Sequence, residues 1–169
     1  MEMIDLYDRE GNPTGRTAVR YAPLAPEDYF LHAHIVLCAA DGRFLLQRRA
    51  ATKRVSPGVW DITGGGVDAG ETARQAAARE TREELGLAVP DGAMTLGWRY
   101  RYEGPDYHAL FEVWGARLPI DVAALVLDTS ECDGAKLVPL DEYVEAVCWN
   151  KDDAYRRNLA AFCKRLAEG

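Results

Sequence analysis

The stretch ARETREELGL, residues 78–87, decides the fold and the site, because it places three glutamates within five positions. Glu80, Glu83 and Glu84 are spaced i, i+3 and i+4, so on a helix they share one face. Like charges at this spacing repel each other, and a divalent cation would offset that repulsion. An arbitrary glutamate-rich helix is more often a solvated acidic face, so the deciding feature is what precedes it.

A glycine-rich segment, GGGVDAGE at residues 64–71, precedes the predicted helix over residues 72–85. Glycine lets the backbone come close to a ligand, and Gly86 is suited to end the helix. A glycine turn followed at fixed spacing by a carboxylate cluster predicts a site that binds a metal ion together with a phosphate group.

From Gly65 to Leu87 the sequence fits the pattern G-x5-E-x7-R-E-U-x-E-E-x-G-U, where U is a bulky apolar residue. This pattern resembles the Nudix box, and eight of its nine constrained positions match. Thr81 is the one position that does not match the pattern, since the family usually has an aliphatic residue there. Threonine is close to valine in volume, so we expect weaker packing and unchanged chemistry.

The resemblance implies a Nudix hydrolase that binds Mg²⁺ or Mn²⁺ and cleaves a diphosphate bond. The implied metal ligands are three carboxylates and one backbone carbonyl: Glu80, Glu83, Glu84 and Gly64. The three glutamates are also the implied catalytic residues. Glu80 serves in some members as the catalytic base. The resemblance assigns a structural role within the box to Gly65, Glu71 and Arg79. Magnesium prefers hard oxygen ligands and can activate a bound water, which agrees with this set.

A second resemblance covers Asp8 to Leu87, which is similar to isopentenyl-diphosphate isomerase, an enzyme on the Nudix fold. It implies that Arg49 and Lys53 bind the substrate diphosphate, although each also fits a surface charge. The catalytic cysteine of the isomerase falls at Gly64, and a metal-binding histidine falls at Gly66. Carbocation chemistry needs a proton donor and an acceptor, so hydrolysis is favoured. Isomerase activity and a non-catalytic binding module remain alternatives.

Further titratable residues leave alternatives open. His32 and His34 alternate along a strand and face one side, where structural histidines are favoured over metal ligands. Many Nudix hydrolases use one more acid after the box, and Glu103, Glu112 and Glu131 are candidates. The general base is therefore one of these or Glu80. Strand aromatics could stack on a nucleobase, but most are expected in the core: Trp60, Trp98, Tyr100, Tyr102 and Tyr107.

The remaining sequence predicts an α/β Nudix fold: an α/β/α sandwich around a mixed β-sheet, with a loop-helix-loop box and an N-terminal hairpin. The predicted strands are 4–7, 16–19, 31–40, 43–48, 96–102, 108–118 and 135–138. Helices are expected at 72–85, 141–147 and 152–167, and the glycine run is expected in a loop with Pro57 and Gly58. One domain would span residues 1–169, divided into a hairpin extension at 1–30, the box at 64–87 and the C-terminal helix at 152–167.

Composition and net charge indicate which classes of binding partner to expect. The chain has 169 residues, a net charge of −7 and a pI near 5.0, which argues against a nucleic-acid polymer. Its four cysteines are scattered, which predicts buried free thiols and a cytoplasmic protein. We expect no signal peptide and no membrane partner. The expected partner is a small-molecule diphosphate; its X group, the number of metals and the oligomeric state, monomer or homodimer, stay open.

Overall fold

The computed structural model describes residues 2–148 and 151–169. Within them, one sheet of nine strands is flanked by three α-helices, which confirms the predicted mixed α/β fold. The strands are β1 (Met3–Tyr7), β2 (Pro13–Val19), β3 (Tyr29–Ala39), β4 (Phe44–Arg49), β5 (Trp60–Asp61), β6 (Thr63–Gly66), β7 (Met94–Glu103), β8 (His108–Leu118) and β9 (Cys132–Val138). The helices are α1 (Ala73–Leu85), α2 (Leu140–Val147) and α3 (Asp153–Glu168).

Strand β3 organises the sheet. It pairs in parallel with β8 from Phe30–Ala109 to Ala39–Leu118, and antiparallel with β6 from His32–Gly66 to Ile35–Thr63. It also pairs antiparallel with β1 and β4. Its residues 33 and 35–39 are buried, as expected for a strand covered on both faces.

The side chains of β3 alternate between two helical layers. Ile35 and Leu37 belong to the cluster that includes Ala76, Ala77 and Leu85 of α1. Val36 and Cys38 belong to the other cluster, which contains residues of α2 and α3, including Tyr143, Tyr155 and Phe162. The period-two alternation of a strand thus builds the α/β/α sandwich.

Helix α1 has a defined start and end. The Thr72 side chain accepts from the Gln75 backbone, while the Gln75 side chain accepts from the Thr72 backbone, which forms a capping box. Gly86 ends the helix with a φ of 65°, in the left-handed region where glycine is favoured. These caps set the two ends of the helix that carries the three glutamates.

The glycine run is where the sequence prediction is wrong. Thr63–Gly66 form β6 instead of a loop, and Trp60–Asp61 form the unpredicted β5. Glycine disfavours strands when considered alone, but β3 approaches so closely that only glycine fits: a Cβ at Gly64 would lie 2.2 Å from the Ala33 carbonyl oxygen. Pro57 and Gly58 do lie outside the strands, as predicted.

The cysteines are in the state that the composition predicts. The four cysteines are free and buried, as expected: Cys38, Cys132, Cys148 and Cys163. No helix in residues 2–148 and 151–169 has the length and hydropathy needed to cross a bilayer.

Candidate active site

Arg79 joins the glycine-rich segment to α1. Its Nε and Nη2 lie 3.0 and 2.9 Å from the two carboxylate oxygens of Glu71, and Nη2 also donates to the Gly66 carbonyl at 3.0 Å. Glu71 in turn accepts from the Asp68 backbone N–H at 3.1 Å. This bidentate pair fixes the segment against the helix.

Glu80 packs directly on Gly65. A Cβ at Gly65 would lie 2.1 Å from Glu80 Oε1, so only glycine leaves room for this carboxylate. Arg79 Nη1 donates to the same oxygen at 2.7 Å and to Glu83 Oε2 at 3.2 Å. Burial nevertheless raises the pKa of Glu80, and the bond from Arg79 opposes that effect.

Glu84 is the most deeply buried of the three glutamates, with 4% of its surface exposed. Its Oε2 accepts a hydrogen bond from Gln47 Nε2 at 2.9 Å. Burial raises the pKa of Glu84 to about 8, and the charges of Glu80 and Glu131 add to that effect. The Gln47 bond and the charge of Arg49 act in the opposite direction.

Gln47 is a site residue that the sequence prediction missed. It lies in β4, is 1% exposed, and its Oε1 has no hydrogen-bond partner among the described residues. A glutamine at this depth is rare unless it is paired. One signal was available in the sequence: Gln47 lies two residues after Leu45 in a strand, so both side chains point to the same face, the one that packs on α1.

The three box glutamates are neighbours but do not converge. Among the residues described, no three His, Cys, Asp or Glu side chains are placed to hold a metal ion. Instead, Arg79 Nη1 donates to both Glu80 and Glu83, while Glu84 accepts from the neutral amide of Gln47. The donor set still suits Mg²⁺, since it offers carboxylate oxygens and the unpaired amide oxygen of Gln47.

The two cations predicted to bind phosphate differ in their surroundings. Lys53 Nζ forms an ion pair with Glu131 Oε2 at 2.5 Å, so its charge is already compensated. Arg49 Nε donates to the Val55 carbonyl at 3.0 Å. The charge of Arg49 also lowers the pKa of Glu84.

The three candidate acids outside the box, Glu103, Glu112 and Glu131, differ in their surroundings. Hydrogen bonds from Arg9 and Tyr29 lower the pKa of Glu103 to about 2. Glu112 pairs with Arg99 at 2.8 Å and accepts from Trp114 Nε1 at 3.1 Å. Of the three, Glu131 is the one whose charge raises the pKa of Glu84.

The two strand histidines lie together on the sheet face opposite α1. Their ring centroids are 5.1 Å apart, and both rings pack on Phe111. Burial lowers the pKa of His32 to about 4 and holds the pKa of His34 well below its usual range, so both rings are neutral at pH 7. Neither Nδ1 has a hydrogen-bond partner among the described residues.

Thr81, the departure from the box pattern, is fully buried. Its hydroxyl donates to the Ala77 carbonyl at 2.7 Å, one helical turn earlier. The polar atom is therefore satisfied inside the helix, and burial of threonine here carries no unpaired donor.

Comparison with known proteins agrees with this geometry. A family model described as the NUDIX domain matches residues 28–161. An uncharacterized Nudix hydrolase of Listeria monocytogenes is 30% identical, over 84% of this chain and 82% of that protein. An isopentenyl-diphosphate Δ-isomerase of Escherichia coli is 33% identical, over 81% of this chain and 80% of that protein.

Among solved structures, DR0079 from Deinococcus radiodurans superposes with a TM-score of 0.71, at 20% identity, over 98% of this chain and 99% of that one. At this identity the likeness shows the fold alone. The family-model match and the Listeria relative carry the assignment further, in agreement with the box geometry. The chain belongs to the Nudix family and is a Nudix-type hydrolase.

Proposed function

We propose that the protein is a divalent-metal-dependent pyrophosphohydrolase that cleaves the diphosphate bond of a nucleoside diphosphate-X or related substrate. The observation that carries this proposal is Glu84, a carboxylate 4% exposed whose direct side-chain partner is neutral Gln47. Burying a carboxylate without a cation costs several kcal/mol in free energy of folding. Such a cost is understandable at a site that is completed by a cation.

The oxygen atoms proposed to hold Mg²⁺ or Mn²⁺ belong to Glu80, Glu83, Glu84 and the Gly64 carbonyl. A metal bound there would neutralise charge on the diphosphate and lower the pKa of a bound water. Arg79 holds Glu80 and Glu83 through a single nitrogen, Nη1. Both carboxylates must leave that nitrogen to converge, while the Glu71 pair keeps the loop in place.

Proton transfer is proposed to use an acid beside the box. Glu80 is suited because burial raises its pKa, which makes it a better proton acceptor. Glu131 is the second candidate, since its charge reaches Glu84. Glu103 is disfavoured as the base, because a carboxylate whose pKa is about 2 holds a proton weakly.

Substrate phosphate is proposed to bind Arg49, with Lys53 in a lesser role. Arg49 can present a planar fork to phosphate oxygens. Lys53 is held at 2.5 Å by Glu131, so a phosphate must displace a carboxylate to reach it.

The isomerase alternative is supported by the relatives that carry that name. The position of the catalytic cysteine opposes it, because the close approach of β3 leaves no room for a side chain at Gly64. The four cysteines of the chain are buried and lie in the hydrophobic clusters or beside them. None of them replaces the missing thiol.

The test is a panel of diphosphate compounds with Mg²⁺ or Mn²⁺, read by phosphate and nucleotide release. It includes nucleotide sugars, dinucleotides, nucleoside triphosphates, coenzyme A and isopentenyl diphosphate. Glu83→Gln should abolish turnover, whereas Glu142→Gln, an exposed acid of α2, should leave it unchanged. Formation of dimethylallyl diphosphate would support the isomerase, and complete inactivity would support a non-catalytic binding module.

The proposal also covers the domain organisation and the cellular location of the protein. We propose that the whole chain acts as one Nudix domain, since β1 pairs with β3 and α3 packs on the same sheet. Four free, buried thiols suit the reducing cytoplasm. The proposed partner is the small-molecule substrate.

A further inference from the structure

Arg20, at the end of the N-terminal hairpin, contacts the glycine-rich segment and has no part in the proposed reaction. It directly follows β2, and its side chain is 13% exposed. Its Nη2 donates to Asp68 Oδ1 at 2.6 Å and to the Gly66 carbonyl at 3.3 Å. Hydrogen bonds from a charged guanidinium are roughly twice as strong as neutral ones, so these contacts attach the hairpin firmly to the segment.

The absence of side chains in β6 makes room for this guanidinium. A Cβ added at Gly66 would overlap Arg20 Nη1, and a Cβ added at Gly65 would overlap Glu80. Successive residues of a strand point to opposite faces of the sheet. Arg20 and Glu80 therefore lie on opposite faces of β6 and enclose the strand between them.

Arg79 binds the same part of the segment from the helix side. Its Nη2 donates to the Gly66 carbonyl at 3.0 Å and lies 3.9 Å from Asp68 Oδ2. Gly66 and Asp68 are therefore each shared by two arginines, one from α1 and one from the hairpin. The connection between β6 and α1 is thus fixed between two guanidinium groups.

The two arginines differ in their other partners. Arg79 also donates to Glu80 and Glu83, and both bonds must break if these carboxylates are to converge on a metal ion. Among the described residues, Arg20 donates to none of the glutamates of the box. Its bonds to the segment can therefore persist through the rearrangement that metal binding requires.

The charge of Arg20 is compensated by two carboxylates. Asp68 supplies one of them, and Oε2 of Glu2 lies 2.8 Å from Arg20 Nε. An uncompensated cation beside the box would oppose the binding of a divalent metal ion, because like charges repel. The compensated arginine can hold the segment without adding net positive charge there.

The rest of the hairpin is attached to the same segment. The Ala69 N–H donates to the Met3 carbonyl at 2.9 Å, and the Gly70 N–H donates to the Asp5 carboxylate at 2.7 Å. Strand β1, which contains Met3 and Asp5, also pairs with β3. The hairpin therefore supports Arg20 from the same sheet that carries β6.

We propose that Arg20 is a positioning residue for the metal site: with Asp68 it keeps β6 in place while the glutamates rearrange, so that the Gly64 carbonyl and Glu80 can bind one ion. This inference rests on the proposed function, and it makes the N-terminal hairpin part of the site. Removing a group that orients metal ligands typically lowers metal affinity by about 10–100-fold.

The test measures Mg²⁺ affinity by titration calorimetry without substrate, and kcat and KM at saturating Mg²⁺. Arg20→Met removes the charge and should weaken Mg²⁺ binding by about tenfold or more. KM at saturating Mg²⁺ should change by less than about twofold, because a positioning residue does not contact the substrate. Arg20→Lys keeps the charge and should recover part of the lost affinity.

Two further variants complete the test. Asp68→Asn, at a side chain that is 43% exposed, should also weaken Mg²⁺ binding and should add little to the effect of Arg20→Met, because the two residues share one contact. Arg43→Met, which breaks the exposed pair with Asp41 at the β3–β4 turn, is the matched control and should change neither quantity. If Arg20→Met fails to fold, Asp68→Asn and Arg20→Lys decide the matter.

An Arg20→Met variant that binds Mg²⁺ like the wild type would overturn the inference, even if its Tm falls. Unchanged Mg²⁺ affinity with a raised KM would also overturn it and would make Arg20 a substrate ligand. Turnover of the diphosphate panel is a separate result. Arg20-dependent Mg²⁺ binding without turnover refutes the hydrolase proposal alone, whereas turnover with Mg²⁺ affinity that is indifferent to Arg20 refutes the positioning role alone.

Discussion

Glu84→Gln is expected to stabilise the metal-free protein at high pH while destroying its proposed activity. The folded protein holds the Glu84 proton up to a pH of about 8, while the unfolded chain releases it near 4.5. The contribution of Glu84 to the free energy of unfolding therefore falls as pH rises from 4.5 to 8 and is constant outside that window. At about 1.4 kcal/mol per pH unit, the full effect is about 5 kcal/mol.

Relaxation around the ionised carboxylate reduces this effect, so we expect the variant to gain about 2–5 kcal/mol over wild type at pH 8.5. For a chain of this length, that raises Tm by about 5–15 °C. The gain should be small at pH 5, where both side chains are neutral in the folded protein. The assay is chemical and thermal unfolding in EDTA at both pH values, followed by titration with Mg²⁺.

Glu83→Gln is the matched control, because the Glu83 side chain is 52% exposed. It should lose turnover without a pH-dependent gain in stability. Added Mg²⁺ should stabilise the wild type and not the Glu84 variant. A Glu84→Gln variant that is equally destabilised at pH 5 and pH 8.5, or that still hydrolyses diphosphates, would contradict this prediction.

Three other predictions concern the same region. Arg79→Met leaves Glu71 and Glu80 without their cation and should lower the free energy of unfolding by about 3 kcal/mol, measured in urea; a loss under 1 kcal/mol would show that the pair does not hold the box. Gly64→Cys should lose about 3 kcal/mol through the clash with β3 and should yield no dimethylallyl diphosphate; isomerase activity in this variant would contradict the structural argument. Arg49→Met should raise KM about tenfold or more with kcat little changed, whereas Lys53→Met should raise KM less, because Glu131 already compensates the charge of Lys53. Steady-state kinetics on the best panel substrate measures both KM values, and a larger increase for Lys53→Met than for Arg49→Met would contradict this order.

Much of the fold could be predicted because periodicity and helix caps are local signals. The apolar run of β3 and the cap pair Thr72 and Gly86 indicated the central strand and helix α1 within two residues of their ends. The strand β6 was missed because the pairing that creates it is not local. Its partner, β3, lies about thirty residues earlier in the chain, and glycine alone gives no strand signal.

The site was predictable to the extent that it follows from helical spacing. Spacing on α1 places Glu80, Glu83 and Glu84 together, and the structure agrees with that placement. Spacing does not reveal that Arg79 Nη1 binds two of them or that Gln47 holds the third. Those contacts depend on how β4 and the glycine-rich segment fold onto the helix.

The most direct test of the central claim is Mg²⁺-dependent cleavage of a phosphoanhydride bond in water labelled with ¹⁸O. We expect metal-dependent turnover by the wild type, with one ¹⁸O atom in a phosphorylated product. We expect no turnover for Glu83→Gln or Glu84→Gln, although both variants should remain folded. Turnover that persists in either variant, or that is unaffected by EDTA, would contradict the assignment of the box glutamates as the catalytic centre.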